Sequence, residues 1–193
     1  DLQPLQEIKQ VCIDHNLKYH LDGARLWNAM VAKKQHPKHF GELFDTISVC
    51  FSKGMGCPIG SVLLSDAETM RKALRIRKIF GGNLRQSGYL AAAGIYALQN
   101  NINRLEDDHN RAKELGATLS RLSWVANVQP VETNIVVFSV IDTIEDKQVI
   151  EKLKQKGVAI SLLAKNTLRM VTHLDYKQVM HEYVIDVLGK IEL

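Results

Sequence analysis

The sequence predicts an α/β protein: the C-terminal part of a larger open-sheet domain, followed by a small α+β domain. Three observations predict it. Short apolar stretches that end in a charged residue and a glycine alternate with helical patterns, as strands and helices do in an open α/β sheet. Near Ser123 the pattern changes to short strands with two amphipathic helices. The first part holds roughly three strand candidates, fewer than a sheet covered on both faces uses. It therefore reads as the second half of a domain whose first half is absent from this chain.

The elements follow in order. Leu2, Leu5, Ile8, Val11 and Cys12 recur at helical spacing over 1–16, with Pro4 early, where its missing N–H costs little. Leu17–Leu21 is a strand candidate. Asp22-Gly23-Ala24-Arg25 is its exit into a helix carrying Leu26, Trp27, Ala29 and Met30. His36–Gly41 reads as a polar turn. The stretch Thr46–Ser61 organises this part of the chain. Ile47, Val49 and Phe51 lead into a single lysine, Lys53, and then into Gly54, Gly56 and Gly60. Such a stretch presents an amine at the carboxyl end of a strand, the edge at which open α/β sheets bind ligands.

Ser61–Leu64 is a further strand, antiparallel after so short a connection. Ser65-Asp66-Ala67-Glu68 carries the cap and the acidic first turn of a helix running to Lys78. Phe80–Asn83 is a loop, and Leu84–Leu98 an Ala-rich helix with Gly88 and Gly94. Ile102, Leu105, His109, Ala112, Leu115, Leu119 and Leu122 form one apolar face of a long helix. A boundary at 122–125 closes the first domain (1–122). In the second (123–193), Val125–Val140 holds two strands around 130–133. Ile144–Lys156 is a helix ended by Gly157. Val158–Ser161 and Leu168–Val171 are strands, and Tyr176–Ile191 is the last helix.

Composition narrows the function. The 193 residues are 46% hydrophobic and 24% charged, with a formal net charge of +4, values of a globular protein. The basic residues are scattered, and their densest cluster, Arg71 to Lys78, lacks the interleaved aromatics of a nucleic-acid surface. No run of about 18 apolar residues is available to span a membrane. Neither nucleic acid nor membrane is therefore an expected partner. Cys12, Cys50 and Cys57 make an odd count with no CxxC pair. That points to a reducing compartment, the cytoplasm, with no disulfide framework and no zinc. His36 and His39 form an HxxH in a Pro-containing turn without further ligands, so no metal is expected. GMGCPIG and GGNLRQSG lack the Lys-Ser/Thr ending of a nucleotide P-loop. The chain opens without an initiating methionine, as a fragment or processed chain does.

The chemistry comes from pairing the two strand exits. The gap from Asp22 to Lys53 suits one helix and a return strand, which sets the exits side by side on one sheet edge. A carboxylate, a guanidinium and an amine then share a cleft. Pyridoxal phosphate (PLP) needs this set: a lysine for its Schiff base and a carboxylate that keeps its pyridine nitrogen protonated. An arginine suits the carboxylate of an amino-acid substrate by bidentate pairing.

HLDGARLWNA (20–29), SVCFSKGMGCPIGSVLL (48–64), KIFGGNLRQSGYLAAAGIYAL (78–98) and LRMVTHLD (168–175) together resemble the low-specificity L-threonine aldolases. These are fold-type I, aspartate-aminotransferase-like PLP enzymes, and the likeness covers nearly the whole chain in order. The resemblance implies pyridoxal 5'-phosphate as cofactor, bound as a Schiff base on Lys53. It implies that Asp22 pairs with the pyridinium nitrogen and that Arg25 lies at the cofactor's 3-hydroxyl and the substrate carboxylate. Arg169 then clamps that carboxylate from the small domain, and Lys78 and Arg85 are basic residues near the phosphate and the subunit interface. It also implies a homo-oligomer, a dimer or a tetramer. The family's phosphate cradle, its ring-stacking histidine and the histidine near the β-hydroxyl belong to its N-terminal half. None of the seven histidines here takes either place, and His20 reads as structural.

Each residue has a plainer reading. Lys53 can be a surface lysine in a turn, Asp22 the N-cap of the next helix, and Arg25 an ordinary helix residue. Arg169 lies among Leu168, Met170 and Val171, where a charge is expensive unless paired. The expectation is cleavage of L-threonine or L-allo-threonine to glycine and acetaldehyde. The alternatives are another fold-type I lyase of β-substituted amino acids, or a truncated, non-catalytic chain.

Overall fold

Two strands leave the first sheet side by side in the computed structural model, which describes residues 2–193. Strand β1 (His20–Gly23) pairs in parallel with β2 (Thr46–Cys50), and β2 pairs antiparallel with β3 (Ser61–Ser65). Helices α1 (Leu2–Asp14), α2 (Leu26–Lys33), α3 (Pro37–Leu43), α4 (Ala67–Ile79) and α5 (Gly88–Asn100) complete this part of the chain.

The half-buried Asp45 carboxylate fixes where β1 and β2 begin. It accepts the Tyr19 N–H at 2.9 Å and pairs with Lys9 and Lys18 at 3.1 Å each. Those partners, the Tyr19 N–H foremost, hold its carboxyl well below the usual carboxylate range. Gly23 closes β1. A Cβ there would stand 2.6 Å from the Ser48 carbonyl oxygen, so only glycine fits beside β2.

Several boundaries depart from the sequence expectation. The first strand is His20–Gly23, not 17–21, because pairing starts at His20 opposite Thr46 and runs through the aspartate and the glycine. The 36–41 stretch is no turn but the start of α3. His36 Nδ1 accepts the Lys38 N–H at 3.2 Å, Pro37 takes the first helical position, and Phe40 is buried beneath. Strand β2 ends at Cys50 rather than at Lys53. Helix α4 is capped by Asp66, which accepts the Thr69 N–H at 2.9 Å. Helix α5 starts at Gly88 rather than Leu84.

The chain divides into two compact units, the first ending at Asn103 and the second running from Arg104 to Leu193. That division falls one helix before the change of character at Ser123. Helix α6 (Leu105–Leu119) belongs to the second unit because Ala112, Leu115 and Leu119 are buried in that unit's core.

Strands β4 (Val125–Val128), β5 (Ile135–Val140), β6 (Ser161–Ala164) and β7 (Thr167–Val171) of the second unit form one antiparallel sheet of order β4-β5-β7-β6. Helices α6, α7 (Asp146–Gln155) and α8 (Gln178–Lys190) share one core with it. Val136, Phe138 and Val140 of β5 and Leu168 and Met170 of β7 point into that core. The alternate residues, Val137 and Arg169 among them, are half-buried on the opposite face. The strand expected at 158–161 lies at 161–164 instead. Gly157, with φ +74°, ends α7, and the chain reaches the sheet at Ser161.

Candidate active site

The register of β1 against β2 sets Asp22 opposite Ser48 and Gly23 opposite Val49. Both strands then leave the sheet at the same carboxyl edge, β1 into Ala24-Arg25 and β2 into Phe51-Ser52-Lys53. Asp22 is exposed. Its Oδ1 accepts the Ala24 N–H at 3.2 Å, which orients the carboxylate. It is not the cap of the next helix, since α2 begins at Leu26 with Arg25 in the cap position. Arg25 is half-buried there, with no acidic partner among the described residues.

Lys53 stands on a turn held from every side. The Phe51 N–H donates to Gly60 O at 2.9 Å, the Cys57 N–H to Phe51 O at 3.0 Å, and the Gly56 N–H to Lys53 O at 2.9 Å. Gly56 and Gly60 take φ of +73° and +122°, the left-handed region that side chains disfavour. Met55 is wholly buried under the turn, and its carbonyl accepts from the Asn101 side chain at 2.8 Å. Trp27 Nε1 donates to Cys50 O at 3.2 Å, and the Trp27 ring lies against Phe51 with centroids 5.9 Å apart. Gly94 lets α5 approach Phe51, whose ring would stand 3.8 Å from a Cβ there. The Cys57 thiol donates to Ala93 O at 3.4 Å, and burial pushes that thiol upward. The Lys53 side chain is exposed beyond this frame, and its amine has no hydrogen-bond or ionic partner among the described residues.

Within the first unit, the other predicted residues are not joined to this edge. Lys78 is in the last turn of α4 and Arg85 in the loop before α5. Both are exposed, and no hydrogen bond or ion pair joins either to Asp22, Arg25 or Lys53. Helix α4 has no fully buried residue; it is capped by Asp66 and lies against β3. Arg169 belongs to the second unit, in the middle of β7. His20 Nδ1 is 2.7 Å from Thr46 Oγ1, a strand-pairing contact. An apolar cleft of about 480 Å³ in the second unit, lined by Leu115, Met170, Tyr176 and Val184, includes none of these residues.

Sequence reasoning missed the residues behind the lysine. Asn101 and Trp27 were legible only as helix punctuation and an apolar helix position. The signal available was the Asn100-Asn101 pair at the helix end, which does not say which of the two is buried or which carbonyl it serves.

A carboxylate, an amine and a guanidinium at one strand edge can hold a pyridine-type cofactor and an amino acid: the amine as covalent anchor, the carboxylate for a ring N–H. Asp22 keeps one carboxylate oxygen without a partner among the described residues, and Lys53 an unpaired amine. The donor set therefore fits PLP.

Comparisons with known proteins agree with this chemistry. A family model described as beta-eliminating lyase matches residues 1–143. The low specificity L-threonine aldolase of Escherichia coli K12 is 40% identical over 172 residues, 89% of this chain and 50% of that protein. The Arabidopsis thaliana low-specificity L-threonine aldolase 1 is 33% identical over 171 residues, 87% of this chain and 48% of that one. The chain spans about half the length of the curated relatives it matches. The solved threonine aldolase of Leishmania major superimposes with a TM-score of 0.75 at 19% identity, covering 97% of this chain and 56% of that one. At that identity the likeness concerns the fold, and it matches the expected fold class.

Proposed function

We propose, from the premise that this chain belongs to the beta-eliminating lyase family, that it serves as the Lys53-bearing part of a PLP-dependent L-threonine aldolase. The reaction we assign is cleavage of L-threonine or L-allo-threonine to glycine and acetaldehyde. One observation carries the reading: Asp22 and the unpaired amine of Lys53 leave adjacent parallel strands at the same carboxyl edge. The names of the relatives, low-specificity L-threonine aldolases, supply the substrate.

When bound, PLP supplies an electron-withdrawing ring that stabilises the negative charge left on Cα as the Cα–Cβ bond breaks. The chain's residues do the rest. Lys53 Nζ, once deprotonated, would be the nucleophile that holds the cofactor covalently. The rigid turn under it limits the directions its side chain samples. The free oxygen of Asp22 would keep a proton on the ring nitrogen, while the Ala24 N–H holds the carboxylate in place. Arg25 contributes a positive charge beside that edge. Arg169 is assigned the substrate carboxylate, and Lys78 and Arg85 the anionic side of the site.

We read the unit that ends at Asn103 as part of the cofactor-binding domain and the unit from Arg104, with α6 in its core, as the small domain. Three free cysteines support the cytoplasm as its compartment. Exposed apolar side chains on α4 and α5, Ile79 and Tyr96 among them, support a homo-oligomer, a dimer or tetramer.

The test is a product screen of the purified protein with PLP on L-threonine, L-allo-threonine, L-serine and phenylserine. Glycine and acetaldehyde from the first two support the reading. Pyruvate from serine without glycine from threonine replaces it by β-elimination, the reading that the family's own description favours.

A further inference from the structure

Arg169 lies between two neighbours in the sheet, Val137 of β5 and Ser161 of β6. Its Nε–H donates to Ser161 Oγ at 3.3 Å, and the same hydroxyl donates back to the Arg169 carbonyl at 3.4 Å. One serine thus serves as acceptor for the side chain and donor to the backbone of a single residue. Both residues are half-buried on the face away from the core. No carboxylate among the described residues pairs with Arg169.

A guanidinium offers a carboxylate two bidentate edges: side-on, through Nε and one Nη, or end-on, through both Nη groups. Ser161 occupies Nε, so only the end-on edge remains open. We propose that Ser161 is a positioning residue that makes Arg169 take the substrate's α-carboxylate end-on, through Nη1 and Nη2. This rests on the assignment of that carboxylate to Arg169 made above. The hydroxyl fixes the last rotations of a long side chain before substrate arrives, which lowers the entropy lost on binding. Thr167, on the same face of β7, does not replace it, because its hydroxyl donates to Lys165 O at 3.4 Å.

The test compares the unaltered protein with Ser161→Ala, Ser161→Thr, Arg169→Ala and the Ser161→Ala/Arg169→Ala pair. Glycine is titrated by NMR on the Arg169 Nε–H resonance, and by competition calorimetry where that resonance is deleted. L-Threonine kinetics run in parallel. Ser161→Ala is expected to weaken glycine binding about threefold to tenfold, the size of one hydrogen bond. It raises KM by the same factor and leaves kcat within about twofold. Ser161→Thr keeps the hydroxyl and restores both. In the Arg169→Ala background, removal of the serine hydroxyl adds no further loss.

Unchanged glycine affinity in Ser161→Ala overturns the proposal, as does an equal loss with Arg169 already gone. So does a parent protein whose Arg169 resonance ignores glycine. A parent that binds glycine at Arg169, loses it with Ser161→Ala, and yet leaves threonine intact supports the Ser161 role and retires the aldolase reading instead.

Discussion

The side-chain amide of Asn101 donates to the main-chain carbonyl of Met55 at 2.8 Å, and both residues are buried. Met55 lies two residues past Lys53, so this bond ties the lysine turn to the end of α5. Asn101→Ala leaves a buried carbonyl without a donor. A loss of about 1–3 kcal/mol in unfolding free energy is expected, with faster amide exchange at Gly54 to Cys57. Urea denaturation and hydrogen exchange measure the two. Asn101→Asp is expected to be at least as harmful, since an ionised carboxylate there faces a carbonyl oxygen.

Gly23 stands where a Cβ would lie 2.6 Å from Ser48 O, a main-chain atom that cannot turn aside. Gly23→Ala must push β1 away from β2 and move Asp22 with it. An overpacking loss of roughly 1–3 kcal/mol is expected, read as a lowered urea midpoint. PLP affinity is expected to fall as well. Gly41→Ala, at a position where a Cβ meets nothing within 4 Å, is the matched control.

Much of the architecture was legible because it follows from period and punctuation. Asp22-Gly23 and Lys53 read as strand exits; Asp22 and Gly23 turn out to be the last residues of β1 itself, and Lys53 comes three residues after β2 ends at Cys50. The β5 and β7 strands and helices α1, α7 and α8 fell near their expected places, since their apolar periods are strong. The failures were local. His36–Gly41 looked like a turn because its composition is polar, yet a histidine cap and a proline at the first position start a helix there. The strand at 158–161 shifted because apolar residues Val158 and Ile160 precede the pairing rather than make it. Asn101, Trp27 and Ser161 were beyond reach, because each acts through one atom on a partner 8 to 46 residues away. No periodic pattern encodes such a contact.

Asp45 carries a pH prediction. Its folded-state pKa is depressed, by the Tyr19 N–H first and then by Lys18 and Lys9. A depressed carboxylate contributes stability above its unfolded pKa, about 4. That contribution fades as pH falls toward the folded value. Asp45→Ala is therefore expected to lower stability by about 1–3 kcal/mol at neutral pH. The gap from the unaltered protein should shrink steadily below about pH 4. Denaturant midpoints measured across that range check it, and a gap independent of pH contradicts it.

Tyr176 gives the opposite sign at the other end of the scale. Burial raises its hydroxyl to about 12. It sits 3.2 Å from Nδ1 of His181, whose Nε2 is 2.8 Å from Glu114. A raised pKa contributes stability that is complete below the unfolded value, about 10, and is lost as pH rises toward the folded one. Stability is expected to decline between pH 10 and about 12, and Tyr176→Phe is expected to remove that decline. Alkaline unfolding followed by tyrosine absorbance measures both.

The most direct measurement is reduction of the PLP-loaded protein with borohydride, followed by peptide mass analysis. A cofactor held on Lys53 becomes a stable secondary amine, and the predicted result is the added phosphopyridoxyl mass on the peptide containing Lys53. That mass should be absent in Lys53→Ala, together with the yellow colour of the unreduced protein. Label on another lysine, or a yellow Lys53→Ala protein with no amine added, contradicts the assignment.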